Sequence, residues 1–152
     1  IVICTNTMHK IVPQMQKMIS IPILHIADAT ADALIDENIS NVALLGTKYT
    51  MTQDFYKARL IERGLSVLIP DAAGIETVNR IIYEELCLGI VSDASRTQYQ
   101  KIIDAMRAKG AQGVILGCTE IGLLISQKDS SLPVFDTTLI HAQAAAKAAL
   151  RS

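Results

Sequence analysis

Two short runs of branched apolar residues in this chain break off at the same dipeptide. Ile1-Val2-Ile3 runs into Cys4-Thr5, and Val114-Ile115-Leu116-Gly117 runs into Cys118-Thr119. An apolar run with no polar alternation is the pattern of a parallel strand buried on both faces, and such a sheet needs helices on either side. The chain supplies them in alternation. Strand patterns at 1–4, 23–26, 42–46, 65–69, 113–117 and 133–135 are separated by helical patterns at 8–18, 28–37, 75–88, 94–109 and 121–125, with a last one at 137–150. That order specifies an α/β fold with parallel sheets.

The boundaries carry their own chemistry. Thr50-Met51-Thr52-Gln53 has the form of a capping box, and Gly64 is placed to close the helix it would open. Gly110 ends the pattern at 94–109, and Asp136 is placed to cap the last helix. Lone glycines such as Gly46 and Gly117 do not compose a dinucleotide-binding fingerprint.

The chain also resembles itself. Val2-Ile3-Cys4-Thr5 leads through a helix to Ser20-Ile21-Pro22-Ile23 and an Ala-rich helix, and Val114–Thr119 leads through a shorter helix to Ser131-Leu132-Pro133-Val134 and another. This is the signature of a duplicated α/β unit. Residues 42–109 precede the second cysteine strand with no counterpart before the first, so repeat logic expects a further segment of roughly 70–80 residues upstream of Ile1.

Bulk properties narrow the partners. A net charge of -1 with intermixed signs leaves no basic patch for nucleic acid. The apolar runs are far shorter than a membrane span, and no signal peptide is expected from an opening on a strand. Three cysteines without short spacing indicate neither a disulfide framework nor a zinc motif, which makes a reducing cytoplasm the default location. The three histidines, His9, His25 and His141, do not share metal-ligand spacing, and no metal is expected.

Cys4 and Cys118 would each sit at a strand's carboxyl end, just before a helix N-terminus, where free N–H groups and the helix dipole favour thiolate. The same N–H groups, at Thr5-Asn6-Thr7 and Thr119-Glu120, would cradle a carboxylate. Two thiols facing each other across a cleft between similar lobes could remove a proton from one side of a planar carbon and return one to the other. Cys87 has no counterpart in the repeat and reads as a packing residue.

Cys4-Thr5-Asn6-Thr7-Met8-His9-Lys10, Leu45-Gly46-Thr47-Lys48-Tyr49-Thr50-Met51, Gly117-Cys118-Thr119-Glu120-Ile121 and Pro133-Val134-Phe135-Asp136-Thr137 resemble the aspartate/glutamate racemase family. The resemblance implies two similar α/β lobes related by a pseudo-twofold, with the active site between them. The segments 1–41 with 137–152 would be the remainder of a first lobe, incomplete in this chain, and 42–136 the second. It implies a cofactor-independent racemase of aspartate and/or glutamate, with Cys4 and Cys118 as acid/base thiols. Thr5, Asn6, Thr7, Thr119 and Glu120 would bind substrate, and Thr47 would stand on the cleft wall. A homodimer is the expectation the family supplies. The family also has a Gly-rich loop and a basic carboxylate-binding residue upstream of the first cysteine. The rival readings are a hydantoin racemase, a maleate isomerase of the same fold, or an inactive fragment or binding module.

Three further readings stay open. His9 tunes Cys4 or packs its helix; His25, with Asp28 nearby, belongs to the cleft or to a structural hydrogen bond; Lys48 meets an acidic substrate or solvent.

Overall fold

The structure, a computed structural model, describes residues 1–150. The last two positions of the 137–152 segment lie outside the described residues. Among the described residues, four strands form one parallel sheet: β1 (Asn41–Gly46), β2 (Ser66–Leu68), β3 (Gly113–Gly117) and β4 (Val134–Asp136), in the order β2-β1-β3-β4. The α/β class and the parallel sheet are those the alternating pattern specifies.

The apolar runs of β1 and β3 are continuous because helices cover both faces. Ala43, Leu45, Val114 and Leu116 point into one core layer, against Ile75, Val78, Ile81 and Ile82 of α5 (Ala72–Glu84) and Tyr99, Ile103 and Met106 of α6 (Asp93–Ala108). Val42, Leu44 and Ile115 point into the other, against Ile26, Ala27, Ala31 and Leu34 of α2 (Ile26–Asp36) and Tyr56 and Leu60 of α4 (Asp54–Glu62). α8 (Thr137–Leu150) joins this second layer through Ile140. Apolar positions spaced three and four apart put one face of each helix on the sheet. Asp71 caps α5 by accepting from the Gly74 N–H at 2.8 Å, and Ser92 caps α6 by accepting from the Ser95 N–H at 3.1 Å.

Three expectations change. Residues 1–4 and 23–26 do not extend into strands; they meet at a single parallel bridge, Val2 with Leu24. A strand is a property of its neighbours, and these two runs have only one another. The helix expected over 8–18 divides into a 3-10 turn (Thr7–Ile11) and α1 (Val12–Gln16). Pro13 has no N–H to continue the ladder from His9, and the Val12 N–H bonds the His9 carbonyl instead. Its apolar stripe is not a core face either, since only His9 and Val12 of it are buried.

The third change is the cap. Thr47, not Thr50, opens the helix after β1, accepting from the Thr50 N–H into α3 (Lys48–Thr52). Thr50 is buried inside that turn, and α4 starts separately after Gln53. Gly46 and Gly117 are register partners at the ends of β1 and β3. A Cβ on Gly46 would lie 3.0 Å from the Gly117 carbonyl oxygen, and one on Gly117 2.9 Å from that of Leu45. The two glycines let the strand ends close together, an approach no side chain would allow.

Strand order reverses direction at this place. The chain leaves β1 for β2 on one side and returns across β1 to β3 on the other. The carboxyl ends of β1 and β3 therefore flank the crevice where open α/β sheets bind ligands.

Candidate active site

Thr47 follows Gly46 and Cys118 follows Gly117, so the strand pairing sets them side by side at the crevice. A cavity of about 170 Å³ opens there. Thr5, Asn6 and Thr7 line one part of it, Thr47 and Gly117 its floor, and Cys118, Thr119 and Glu120 another part. Seven of the eight site residues read from sequence thus meet around one space, though they come from three distant segments. Cys4 is the eighth. It is exposed and lines an adjoining cavity of about 130 Å³ with Val2, Ile26, Thr138 and His141. Thr5 and Thr119 border both cavities and form the partition between them.

Sequence reasoning missed the remaining wall. Ile82 and Tyr83 at the end of α5, with Cys87 in the 3-10 turn that follows (Leu86–Leu88), complete the larger cavity. The available signal was the spacing of four between Tyr83 and Cys87, which places them on one helical face. Cys87 is exposed at this wall rather than packed in the core.

The electrostatics of Cys118 reverse the thiolate expectation. Burial, then the hydrogen bond to Glu120 and its charge, push the Cys118 thiol up to about 12. Its Sγ donates to Glu120 Oε2 at 2.9 Å, and Thr119 Oγ1 donates to the same oxygen at 2.7 Å. The helix that was to favour thiolate, α7 (Ile121–Leu124), is a single turn of four residues. A dipole that short is outweighed by a carboxylate in direct contact. Burial opposes the charge on Glu120, but the two hydrogen bonds it accepts bring its carboxyl below the ordinary range. The resting pair is a thiol donating to a carboxylate.

The histidines, separate in sequence, meet in space. His9 stacks edge-on against His25 and His141, with ring centroids 4.5 and 5.6 Å apart, and all three are buried. Backbone groups settle their tautomers. His9 Nε2 accepts from the Ile26 N–H at 3.2 Å, so Nδ1 carries the proton and donates to the Thr5 carbonyl at 2.8 Å. His25 Nδ1 accepts from the Ala27 N–H at 3.1 Å and caps α2. His141 Nε2 donates to the Leu24 carbonyl at 2.9 Å. Burial lowers the pKa of His9 and, with Arg59 nearby, takes His25 down to about 3. His9 thus holds the backbone one residue after Cys4, and Asp28 pairs with Arg59 instead of His25.

Lys48 is exposed and pairs with Glu76 outside the cavity. Asp136 caps α8, its Oδ1 accepting from the Thr138 N–H at 2.8 Å. Glu85 accepts from Ser92, Ser95 and Arg80 and so secures the turn before α6.

The fold recurs in known proteins. A candidate Asp/Glu racemase from Yersinia pestis superposes with a TM-score of 0.94 at 54% identity, over 98% of this chain and 65% of that one. An aspartate racemase homologue from Pyrococcus horikoshii OT3 gives 0.89 at 38% identity, over 97% and 65%. Picrophilus torridus aspartate racemase gives 0.73 at 24% identity over 97% and 61%, a likeness of fold alone. The chain spans about 65% of the length of the first two. The family model for Asp/Glu/Hydantoin racemase matches residues 1–145. With that match over nearly its whole length, the chain belongs to the Asp/Glu/hydantoin racemase family.

Proposed function

We propose that the protein is a cofactor-independent amino-acid racemase that interconverts L- and D-aspartate and/or glutamate, with Cys4 and Cys118 as its two acid/base groups. The observation that carries this reading is the Cys118 thiol held against Glu120 at the wall of a cavity bordered by Thr5, Asn6 and Thr7. A half-buried thiol kept protonated beside a substrate-sized space is a proton donor in waiting. Family membership and the likeness to an aspartate racemase homologue support the same chemistry.

In the reaction proposed, the Cys4 thiolate takes the α-proton from one face of the bound amino acid. The electron pair of the broken C–H bond remains on the α-carbon and spreads into the carboxylate. The Cys118 thiol then gives its proton to the opposite face, which leaves Cys4 as thiol and Cys118 as thiolate. The reverse direction exchanges the roles. Removing the α-proton is the hard step, and fixed donors around the carboxylate would lower its cost. The N–H groups of residues 6, 7, 119 and 120 are the candidates for that task, since that of Thr5 already donates to the Ile3 carbonyl at 2.9 Å. The substrate ammonium, entering beside Glu120, would offset the charge that helps keep Cys118 protonated and so ease its turn as base.

The test is incorporation of solvent deuterium at the α-carbon of L- and D-aspartate and glutamate by the full-length protein without added cofactor. Cys4→Ser and Cys118→Ser should each abolish racemisation. No deuterium in any of these substrates, with both variants binding them as the wild type does, overturns the reading. Deuterium at carbon 5 of a substituted hydantoin, and none in the amino acids, would move the substrate to the other branch named by the family.

A further inference from the structure

Thr137, the first residue of α8, is fully buried and belongs to neither cysteine segment, yet its one hydroxyl is bonded to both. Thr137 Oγ1 donates to the Leu116 carbonyl at 2.8 Å, two residues before Cys118. The same oxygen accepts from Asn6 Nδ2 at 3.1 Å, two residues after Cys4.

The direction of these bonds is dictated by proton count. A carbonyl has no proton to give, so the single hydroxyl proton goes to Leu116. Toward Asn6 the hydroxyl can then only accept, and Asn6 must turn its amide nitrogen to it. The consequence is visible on the other side of the amide. Asn6 Oδ1 is buried and has no hydrogen-bond partner. A buried unpartnered acceptor is costly, and an apolar pair of similar shape would avoid the cost. Stability alone therefore gives no reason for an Asn–Thr pair at this place, whereas a need to hold two segments in one fixed relation does.

We propose that Thr137 is a positioning residue for the reaction. It sets the Asn6 amide and ties the Cys4 segment to the Cys118 strand across the partition made by Thr5 and Thr119. The proposal rests on the racemase reading. Thr137 touches no reacting atom; it acts through Asn6 and Leu116. Small displacements between a proton-transfer group and its target are expensive, so loss of the tether should reduce turnover far more than it reduces folding.

The experiment compares wild type, Thr137→Val and Thr137→Ser in the full-length protein. Thr137→Val keeps the shape and removes the hydroxyl, while Thr137→Ser restores it. Three readouts are taken: α-deuterium incorporation with kcat and KM separated, thermal unfolding, and solvent exchange of the Asn6 side-chain amide protons by NMR. Expected is a fall in kcat of about tenfold to a hundredfold for the Val variant, rescue by Ser, a lowered melting temperature in a still cooperative transition because the Asn6 amide and the Leu116 carbonyl lose their shared partner, and faster exchange at the Asn6 amide. If the Val variant fails to fold, Thr137→Ala takes its place in the same comparison. Wild-type activity in a folded variant lacking the hydroxyl overturns the proposal alone. A wild type without α-deuterium incorporation overturns the racemase reading, and the catalytic claim for Thr137 with it. Unchanged Asn6 exchange in the Val variant refutes the tether itself, whatever the activity.

Discussion

The Cys118 sulfur donates to Glu120 Oε2 across 2.9 Å, and this contact, together with burial, sets the protonation state of the site. Glu120 entered as a candidate substrate ligand from its place in the motif. Its carboxylate lines the cavity and accepts twice from within the chain, from Cys118 and from Thr119.

Glu120→Gln should lower the titration midpoint of Cys118. The change removes a negative charge beside the thiol, which is one cause of the rise to about 12; burial, the larger cause, stays. The midpoint should therefore fall but remain above the free-thiol value of about 8.5. Below the midpoint, each unit of downward shift raises the thiolate fraction about tenfold and the alkylation rate roughly threefold to fourfold, because a less basic thiolate is a weaker nucleophile. Iodoacetamide labelling of the Cys118 peptide against pH, read by mass spectrometry, measures this. An unmoved midpoint would show that Glu120 does not control the thiol.

Gly117→Ala should destabilise the protein by about 1–3 kcal/mol, as overpacking does in a filled core. The new Cβ would lie 2.9 Å from the Leu45 carbonyl oxygen and 3.0 Å from Leu44 Cδ1. The oxygen belongs to the neighbouring strand and cannot swing aside. Gly64→Ala is the comparison, since nothing lies within 4 Å of its Cβ and only its φ of +84° resists substitution. Denaturant midpoints should be lower for Gly117→Ala than for wild type. Equal stability of wild type and Gly117→Ala would contradict the close pairing of β1 and β3.

Stability should fall as pH drops from 6.5 toward 3. His25 titrates at about 3 in the folded protein and at its ordinary 6.5 when unfolded. Between those values the unfolded chain binds the extra proton, so stability rises with pH and is complete above 6.5. The contribution lost over that whole range is roughly 4–5 kcal/mol, and on the order of 2–3 kcal/mol of it is lost between pH 7 and pH 4.5. His25→Asn keeps an acceptor for capping α2 and removes the titration. Its melting temperature should therefore decline less between pH 7 and pH 4.5 than that of wild type. Parallel declines would mean that His25 is not the group responsible, leaving His9, whose pKa is also lowered, as the source.

Much of the fold is legible in local patterns. Gly113–Gly117 has the same limits in the sequence reading and in the structure, and α6 and α8 differ from expectation by a residue or less at each end. Five consecutive buried positions in β3 can be written only as an unbroken apolar run, and the face of α6 repeats every three to four residues. The strands expected at 1–4 and 23–26 show the limit of the method. Their composition is right, but pairing depends on neighbours that composition does not describe.

The site divides along the same line. From sequence alone came the family, the paired Cys-Thr motifs and most of the polar cavity wall, because those residues lie next to one another in two short motifs. Tertiary structure decided the rest. It placed Tyr83 and Cys87 on the wall, brought three histidines to one point, and put Cys4 and Cys118 in adjoining cavities with Thr5 and Thr119 between them. It also set the proton on Cys118 and joined Asn6 to Leu116 through Thr137. The physical reason is range. Periodicity is a relation among residues a few positions apart. Burial and hydrogen bonding across the fold are relations in space, and here they join Asn6 to Thr137 and Leu24 to His141, more than a hundred positions apart.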